Sequence, residues 1–324
     1  MTLFKSPVTI VMPALNEERY IETAIRTLLS DAGDLDFELL VMDGGSTDGT
    51  AQVVERLARE EPRIRLVHNP KRLQSAGVNL GARIADPRSK VLVRADCHAA
   101  YPPGFLRRCV AALEETGAAS VVVPMLTEGR TWFQRAAAAA QNSLLGNGGS
   151  AHRRAGESGF VEHGHHAAFL RQAFLDLGGY DESFTHNEDA EFDHRLTRSG
   201  GRIWLAADLA IHYFPRADLK GLARQYFNHG AGRARTATKH RTPLKIRQLA
   251  PLIVSLTVVL GLALGLLLHP IFLAPVAFYA GLCLSWGVAT ALRTRDGTVA
   301  GMGVAAMVMH LAWACGFASQ VIRD

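Results

Sequence analysis

The sequence predicts an α/β protein: a mostly parallel, doubly wound sheet followed by a C-terminal run of transmembrane helices. Three observations carry this. Strand-like and helix-like stretches alternate along the first third of the chain, composition shifts near residue 248, and three apolar runs of membrane-spanning length follow.

Each unit of the alternation has its own signals. "PVTIVMPAL" is β-branched and apolar. In "NEERYIETAIRTLLSDAG", Ile21, Ile25, Leu28 and Leu29 recur at helical spacing and Gly33 closes the run. The pattern repeats as "FELLVMD" then "STDGTAQVVERLAREE", as "RIRLVHN" then "QSAGVNLGARIAD", and as "KVLVRAD" then "PPGFLRRCVAALEETG", with proline where the last helix begins. The glycines of "DGGSTDGT" permit a tight turn, and Ser46 or Thr47 is expected to cap the helix after it.

Ligands of such sheets rest beyond the carboxyl ends of the strands, so the polar residues there are the ones to read. They are Asn16, Glu17, Asp43, Asp96 and His98. Residues two apart in an extended segment face the same side, so Asp96 and His98 are expected to point at one object, a metal ion being the candidate.

Composition bounds the rest. With 324 residues and 48% hydrophobic content the chain can fill one large core or two ordinary ones. Cys97, Cys109, Cys283 and Cys315 have neither metal-ligand spacing nor the density of a disulfide scaffold, which fits a reducing compartment for the soluble part. The apolar stretch in "MTLFKSPVTIVMP" is short and interrupted by Lys5 and Pro7, so no signal peptide and no export of the N-terminal part are expected.

In the tail, "LAPLIVSLTVVLGLALGLLLHP" from Leu249 runs without a charge, and about twenty helical residues at about 1.5 Å each cross a hydrocarbon core of roughly 30 Å. Residues 271–292 and 299–322 repeat the pattern, with small residues suited to close helix contact. Arg233, Arg235, Lys239, Arg241, Lys245 and Arg247 precede the first span, and Arg293 and Arg295 lie between the second and third. The "HP" turn between the first and second has no Lys or Arg. Both basic segments are therefore assigned to the cytoplasm. Anionic lipid headgroups account for the net charge of +5, and no stacking aromatics lie among these basic residues, so no nucleic-acid partner is expected.

Taken in order, "VMPALNEERYI", "VMDGGSTDGT", "NLGARIA" with "LVRADCH", "LGGYDESF" and "NEDAEFDHRLTRSGGRIW" make residues 7–235 resemble the family 2 inverting glycosyltransferases of the GT-A fold. With its membrane tail the chain is most similar to succinoglycan-type bacterial exopolysaccharide enzymes, which add a sugar, commonly glucose, to a polyprenyl-diphosphate-linked saccharide. The resemblance implies a GT-A domain over 1–232, a basic juxtamembrane segment over 233–248, and a membrane domain over 249–324. It implies a UDP-sugar donor, Mn²⁺ or Mg²⁺, and three groups of partners: the lipid-linked acceptor, membrane lipids and other polysaccharide-assembly proteins. It places the chain in the bacterial inner membrane as a multi-pass protein, catalytic domain facing the cytoplasm.

By the same resemblance, Asp43 bonds the uracil beside the backbone near Pro13, Glu17 lies close to the nucleotide, and Arg94 belongs to the donor site. Asp96 takes the first position of the family's D-x-D metal motif and His98 the second. His98 is either a ligand that biases the site toward Mn²⁺ or a phosphate contact. His212 is a further metal or phosphate contact, or a partly buried core histidine. Asp189 is the catalytic base, with Glu188 beside it, in the first turn of a helix beginning near Asn187, where the dipole favours ionised carboxylates. Glu191 and Asp193, in the next turn, are solvent-facing or ion-paired.

Gln225 matches the family's Q-x-x-R-W element, but Asn228 and His229 stand at its arginine and tryptophan positions, so processive synthesis is not implied. Arg224, Arg233 or Arg235 takes the diphosphate role, or the helix lies on lipid. His163, His165 and His166 lack the second ligand pair of a structural zinc site and are read as acceptor-loop contacts, with Glu162 near the sugar. "TWFQRAAAAAQNSLLGNGG" reads as a helix ending in glycines, and "SAHRRAGESG" as a mobile basic loop that, with Trp132 and Phe133, meets the membrane surface. Transfer to polyprenyl phosphate or another lipid, and a non-catalytic sugar-nucleotide-binding subunit, are the competing readings.

Overall fold

Every residue from Val8 to Met12 is buried, as a strand covered on both faces of a parallel sheet must be. This strand, β1 (Val8–Ala14), is the centre of the fold in the computed structural model, which describes residues 2–148 and 156–323. It pairs in parallel with β2 (Phe37–Asp43) on one side and β4 (Val91–Arg94) on the other, and β3 (Ile64–His68) pairs in parallel beyond β2. Helices α1 (Ile21–Ala32), α2 (Thr50–Glu60) and α3 (Gln74–Ile84) make the crossovers, and α4 (Phe105–Thr116) follows β4. The periodic residues Ile21, Ile25 and Leu28 of α1 are buried, and Gly33 ends it with φ +57°, a conformation that favours glycine.

The sheet continues with β5 (Ser120–Val123), β7 (Gly159–Val161), β8 (His165–Leu170) and β9 (Ile203–Leu205), giving the order β3-β2-β1-β4-β8-β5-β9-β7 among the described residues. Strand β8 runs antiparallel to its neighbours β4 and β5. Its first residues, His165 and His166, therefore lie at the edge where β4 ends. Helices α7 (Arg171–Asp176) and α8 (Glu188–Arg198) connect β8 to β9. The short strands β6 (Met125–Thr127) and β10 (Ile211–Tyr213) stand outside this sheet.

Two local expectations are corrected. Strand β4 ends at Arg94, and Cys97 and His98 form a turn, so strand alternation does not govern Asp96 and His98. Neither Ser46 nor Thr47 caps α2. The helix starts at Thr50 after Gly49, and Asp48 accepts from the Thr50 amide at 3.0 Å.

The chain divides into two compact units, Met1–Met125 with Ala155–Tyr213, and Leu126–Arg154 with Phe214–Asp324. The second contains α5 (Trp132–Asn142), α6 (Leu144–Asn147), α9 (Leu219–His240), α10 (Ile246–Leu267), α11 (Ala274–Thr294) and α12 (Met302–Arg323). A capping box between Thr131 and Gln134 starts α5. Most of the basic loop read in residues 150–159 lies outside the described residues. The domain boundary expected after residue 232 falls inside α9, one continuous helix packed along α12. The two backbones approach closely because Gly230 faces the Trp313 carbonyl and Gly316 the Phe227 carbonyl. Among the described residues three helical segments, Ile246–Leu267, Pro270–Thr294 and Gly297–Arg323, are long and apolar enough to cross a membrane.

Candidate active site

The carboxyl ends of the parallel strands carry the site, and its floor is two stitched loops. Asn16, at φ +58°, accepts from the Thr47 amide at 2.8 Å and donates its own amide to the Ser46 hydroxyl at 2.9 Å. The Glu17 amide donates to the Thr50 hydroxyl at 2.8 Å. The Asp43 carboxylate, paired in register with Ala14, accepts from the Gly45 and Ser46 amides and the Ser46 hydroxyl. Both its oxygens thus hold its own loop in shape. Pro13 is the penultimate residue of β1, and its carbonyl accepts from the Cys97 thiol at 3.3 Å. This joins β1 to the turn after β4.

That turn presents two groups with different neighbours. His98 is half exposed, with Nδ1 3.3 Å from Glu17 Oε1. Asp96 is mostly buried: one oxygen accepts from Gln74 at 3.0 Å, and the other lies 3.4 Å from His165 Nε2. Its backbone amide donates to the Tyr101 hydroxyl. His212 sits on β10, bridged to Ala100 just beyond this turn.

Beneath Asp96 lies Arg94, with only 6% of its side chain exposed, 3.6 Å from Asp96 and 3.7 Å from Glu188. Its guanidinium also donates to the Tyr180 hydroxyl at 3.4 Å. One buried cation thus joins the end of β4 to the start of α8. Asn187, at φ +63°, turns the chain into that helix, so that Glu188 and Asp189 open its first turn. Of the two alternatives read for Glu191 and Asp193 in the "NEDAEFD" run, the structure shows ion pairs, with both side chains fully buried. Glu191 pairs with Arg195 at 2.7 Å, and Asp193 accepts from His163 Nδ1 and His166 Nε2, both at 2.8 Å. With His166 Nε2 donating, its Nδ1 accepts from the Tyr180 hydroxyl at 2.6 Å.

The electrostatics separate the two carboxyls that open α8. Burial and the neighbouring Asp189 charge raise Glu188 above the ordinary glutamate value, against the pull of Arg94. Burial also opposes ionisation of Asp189, but the electrostatic influence of the His163 and His166 rings and of Arg94 holds it well below the usual carboxylate range. Asp96 behaves alike: burial raises it, and Arg94 with the His165 hydrogen bond more than offsets this. Both Asp96 and Asp189 are thus pushed toward the ionised form.

Among the described residues no group of three or more His, Cys, Asp or Glu side chains is arranged to hold a metal ion alone. The donor set is one ionised carboxylate, Asp96, with imidazoles nearby. That set fits a hard divalent cation that brings its other ligands as phosphate oxygens and water.

Of the predicted site residues, the fold gathers Pro13, Glu17, Asp43, Arg94, Asp96, His98, Glu188 and Asp189 along the ends of β1, β2 and β4 and the start of α8, with His212 beside the β4 turn. Gln225 and Arg233 lie on α9, in the other unit. Sequence reasoning missed Gln74 and Tyr180 and the partners of the histidines: His165 faces Asp96, and His163 and His166 hold Asp193. The legible signal for the last contact was helical spacing, since Asp189 and Asp193 are four apart on one helix face.

A family model described as Glycosyl transferase family 2 matches residues 9–178. The chain is 46% identical over 313 residues to the succinoglycan biosynthesis protein ExoA of Rhizobium meliloti, covering 97% of this chain and 94% of that protein. It is 25% identical over 239 residues to a dolichyl N-acetyl-alpha-D-glucosaminyl phosphate 3-beta-D-2,3-diacetamido-2,3-dideoxy-beta-D-glucuronosyltransferase of Methanococcus voltae, covering 70% of this chain and 72% of that one. Among solved structures, the mannosyltransferase PcManGT of Pyrobaculum calidifontis, in complex with GDP-Man and Mn²⁺, superimposes with a TM-score of 0.56 at 21% identity, covering 94% of this chain and 86% of that one. That likeness is one of fold.

Proposed function

The chain belongs to glycosyl transferase family 2, and we propose from that premise that it is an inverting enzyme of exopolysaccharide assembly. It would move a sugar, glucose first among candidates, from a UDP-sugar to a polyprenyl-diphosphate-linked saccharide at the cytoplasmic face of the bacterial inner membrane. The observation that carries this reading is the buried Arg94, within 3.7 Å of both Asp96 and Glu188. It couples the edge that would hold a diphosphate to the helix start that would hold the base.

In this reading Asp189 is the catalytic base. It accepts the proton of the acceptor hydroxyl as that oxygen attacks the anomeric carbon, and the UDP oxygen leaves from the opposite side with the bonding pair. A carboxylate held ionised suits this role, and the neighbouring Glu188, pushed toward the neutral form, suits a hydrogen-bond donor to the sugar or acceptor. Arg94 acts from below, keeping Asp96 charged and in place. A divalent cation, Mn²⁺ or Mg²⁺, held by Asp96 with His98 or His212, would offset charge on the departing diphosphate. Glu17 and the backbone at Pro13 flank the nucleotide. Asp43 shapes the loop beneath the uracil and can contact it only beyond the bonds it already makes.

The test is transfer from radiolabelled UDP-glucose by the full chain in native membranes, offered prenyl-diphosphate saccharides and, separately, prenyl phosphate. Label on the saccharide is expected. Label on prenyl phosphate alone would replace the acceptor assignment, and UDP binding without turnover of any donor would leave a binding subunit.

A further inference from the structure

Strand β8 opens with two adjacent histidines that serve different carboxylates, because successive residues of a strand point to opposite faces. His166 Nε2 donates to the buried Asp193 at 2.8 Å. His165 Nε2 instead lies 3.4 Å from Asp96 Oδ2 at the sheet edge. The pairing of β4 with β8 sets this approach. Val93 stands opposite Ala168 in the antiparallel register, and the same register carried three residues further brings Asp96 opposite His165. On its other side His165 is paired with Val123 of β5, which fixes its backbone.

The two oxygens of Asp96 have different surroundings. Oδ1 accepts from Gln74 at 3.0 Å and faces the Arg94 guanidinium at 3.6 Å. Oδ2 faces the imidazole, and both side chains are mostly buried, with 13% of His165 and 15% of Asp96 exposed. Their 3.4 Å separation is longer than a good N–H···O hydrogen bond of about 2.7–3.2 Å. It does match two ligands of one ion. Donor atoms bound at about 2.1 Å stand about 3.0–3.4 Å apart when the angle at the metal is between about 90° and 109°.

We propose that His165 Nε2 and Asp96 Oδ2 are neighbouring ligands of the divalent cation of the donor site. The inference deepens the reading of a cation-dependent transferase and rests on it. It moves His165 from the acceptor side of the cleft to the donor side. Gln74 and Arg94 hold Oδ1 and leave Oδ2 turned to the ion, so each oxygen of the carboxylate has one task. A nitrogen among the ligands favours Mn²⁺ over Mg²⁺, which takes oxygen.

The experiment uses the full chain in detergent with Mn²⁺ and UDP as probes, so it needs no turnover. Pulsed electron paramagnetic resonance of the bound Mn²⁺ is expected to show nitrogen modulation from an imidazole. His165→Gln fills the space and keeps an N–H donor for Asp96 but has no imidazole, and His165→Ala has neither. Both are expected to lower the depth of that modulation and to raise the Kd for Mn²⁺ with UDP at least about tenfold, the loss that even a partner of a ligand brings. Wild-type modulation depth in His165→Gln would overturn the proposal, because a hydrogen-bond partner for Asp96 would then suffice. Asp96→Asn separates the proposal from the reading beneath it. If the wild type takes up no Mn²⁺ with UDP, or Asp96→Asn binds it as the wild type does, the cation reading itself fails. If Asp96→Asn loses Mn²⁺ while His165→Gln keeps both affinity and nitrogen signal, that reading stands and His165 is refuted as a ligand.

Discussion

Arg94 sets the character of the site at the scale of single residues. A guanidinium with 6% of its side chain exposed persists only because Asp96, Glu188 and Tyr180 surround it. Arg94→Met would leave the Asp96 carboxylate in a buried position without its strongest partner. We expect a loss of about 3 kcal/mol or more, read as a lower melting temperature in detergent, with donor binding reduced as well. Asp189→Asn removes the base while keeping the shape. Transfer should fall by at least about 100-fold, with UDP affinity, measured by calorimetry, nearly unchanged. A large loss of UDP binding would move Asp189 from the base role to the donor site. His98→Ala tests the cation: it should change the relative activation by Mn²⁺ and Mg²⁺ in a metal titration, and an unaltered Mn²⁺ response would remove His98 from the ligands.

At the scale of elements, the site depends on where secondary structure stops. Strand β4 ends two residues short of Asp96, and the turn that follows gives Asp96 and His98 separate neighbours, which alternation along a strand would not do. Helix α8 begins at a left-handed Asn187, and the helical period then sends Asp189 and Asp193 to one face. The motifs "LVRADCH" and "NEDAEFD" and the helix start near Asn187 were legible in the sequence, whereas the end of β4 at Arg94 was not. The partners of these residues were not legible either, because His165, His166 and Tyr180 come from chain segments whose approach depends on β8 running antiparallel beside β4. In the second unit, α9 meets α12 through glycines. Replacing Gly316 with valine would drive its side chain into the Phe227 carbonyl. A destabilisation of about 1–3 kcal/mol is expected from the overpacking, checked by thermal inactivation of the membrane-extracted chain.

For the whole molecule, charge and hydropathy organise the predictions. Asp96, Asp189 and Asp193 are all held below the ordinary carboxylate value. Groups with depressed folded-state values contribute stability that is present above the unfolded value of about 4 and is lost as pH falls through the lower folded values. Resistance to thermal inactivation should therefore hold from pH 7 to about 5 and decline below about 4. A decline beginning near neutrality would contradict the carboxylate assignment. In the proposed orientation the basic segments before Ile246 and at Arg293 and Arg295 would lie on the cytoplasmic side, and the His269–Pro270 turn on the other. Cysteines introduced at His269 and at Arg295 in a chain lacking Cys315 should label with a membrane-impermeant maleimide from outside intact cells only at position 269.

The alternation of buried strands and amphipathic helices, the three apolar spans and the acidic positions at strand ends followed from the sequence alone. Hydrophobic period and turn chemistry are local properties, and each repeats often enough here to be unambiguous. What only the tertiary structure decided is which charges meet and where elements run: that Arg94 lies between two carboxylates, that His163 and His166 grip Asp193, and that α9 runs unbroken past residue 232 along α12. Those pairings join residues up to about a hundred positions apart. Their energy comes from burial and from the strand order that brings distant segments to one edge, and no local pattern encodes either.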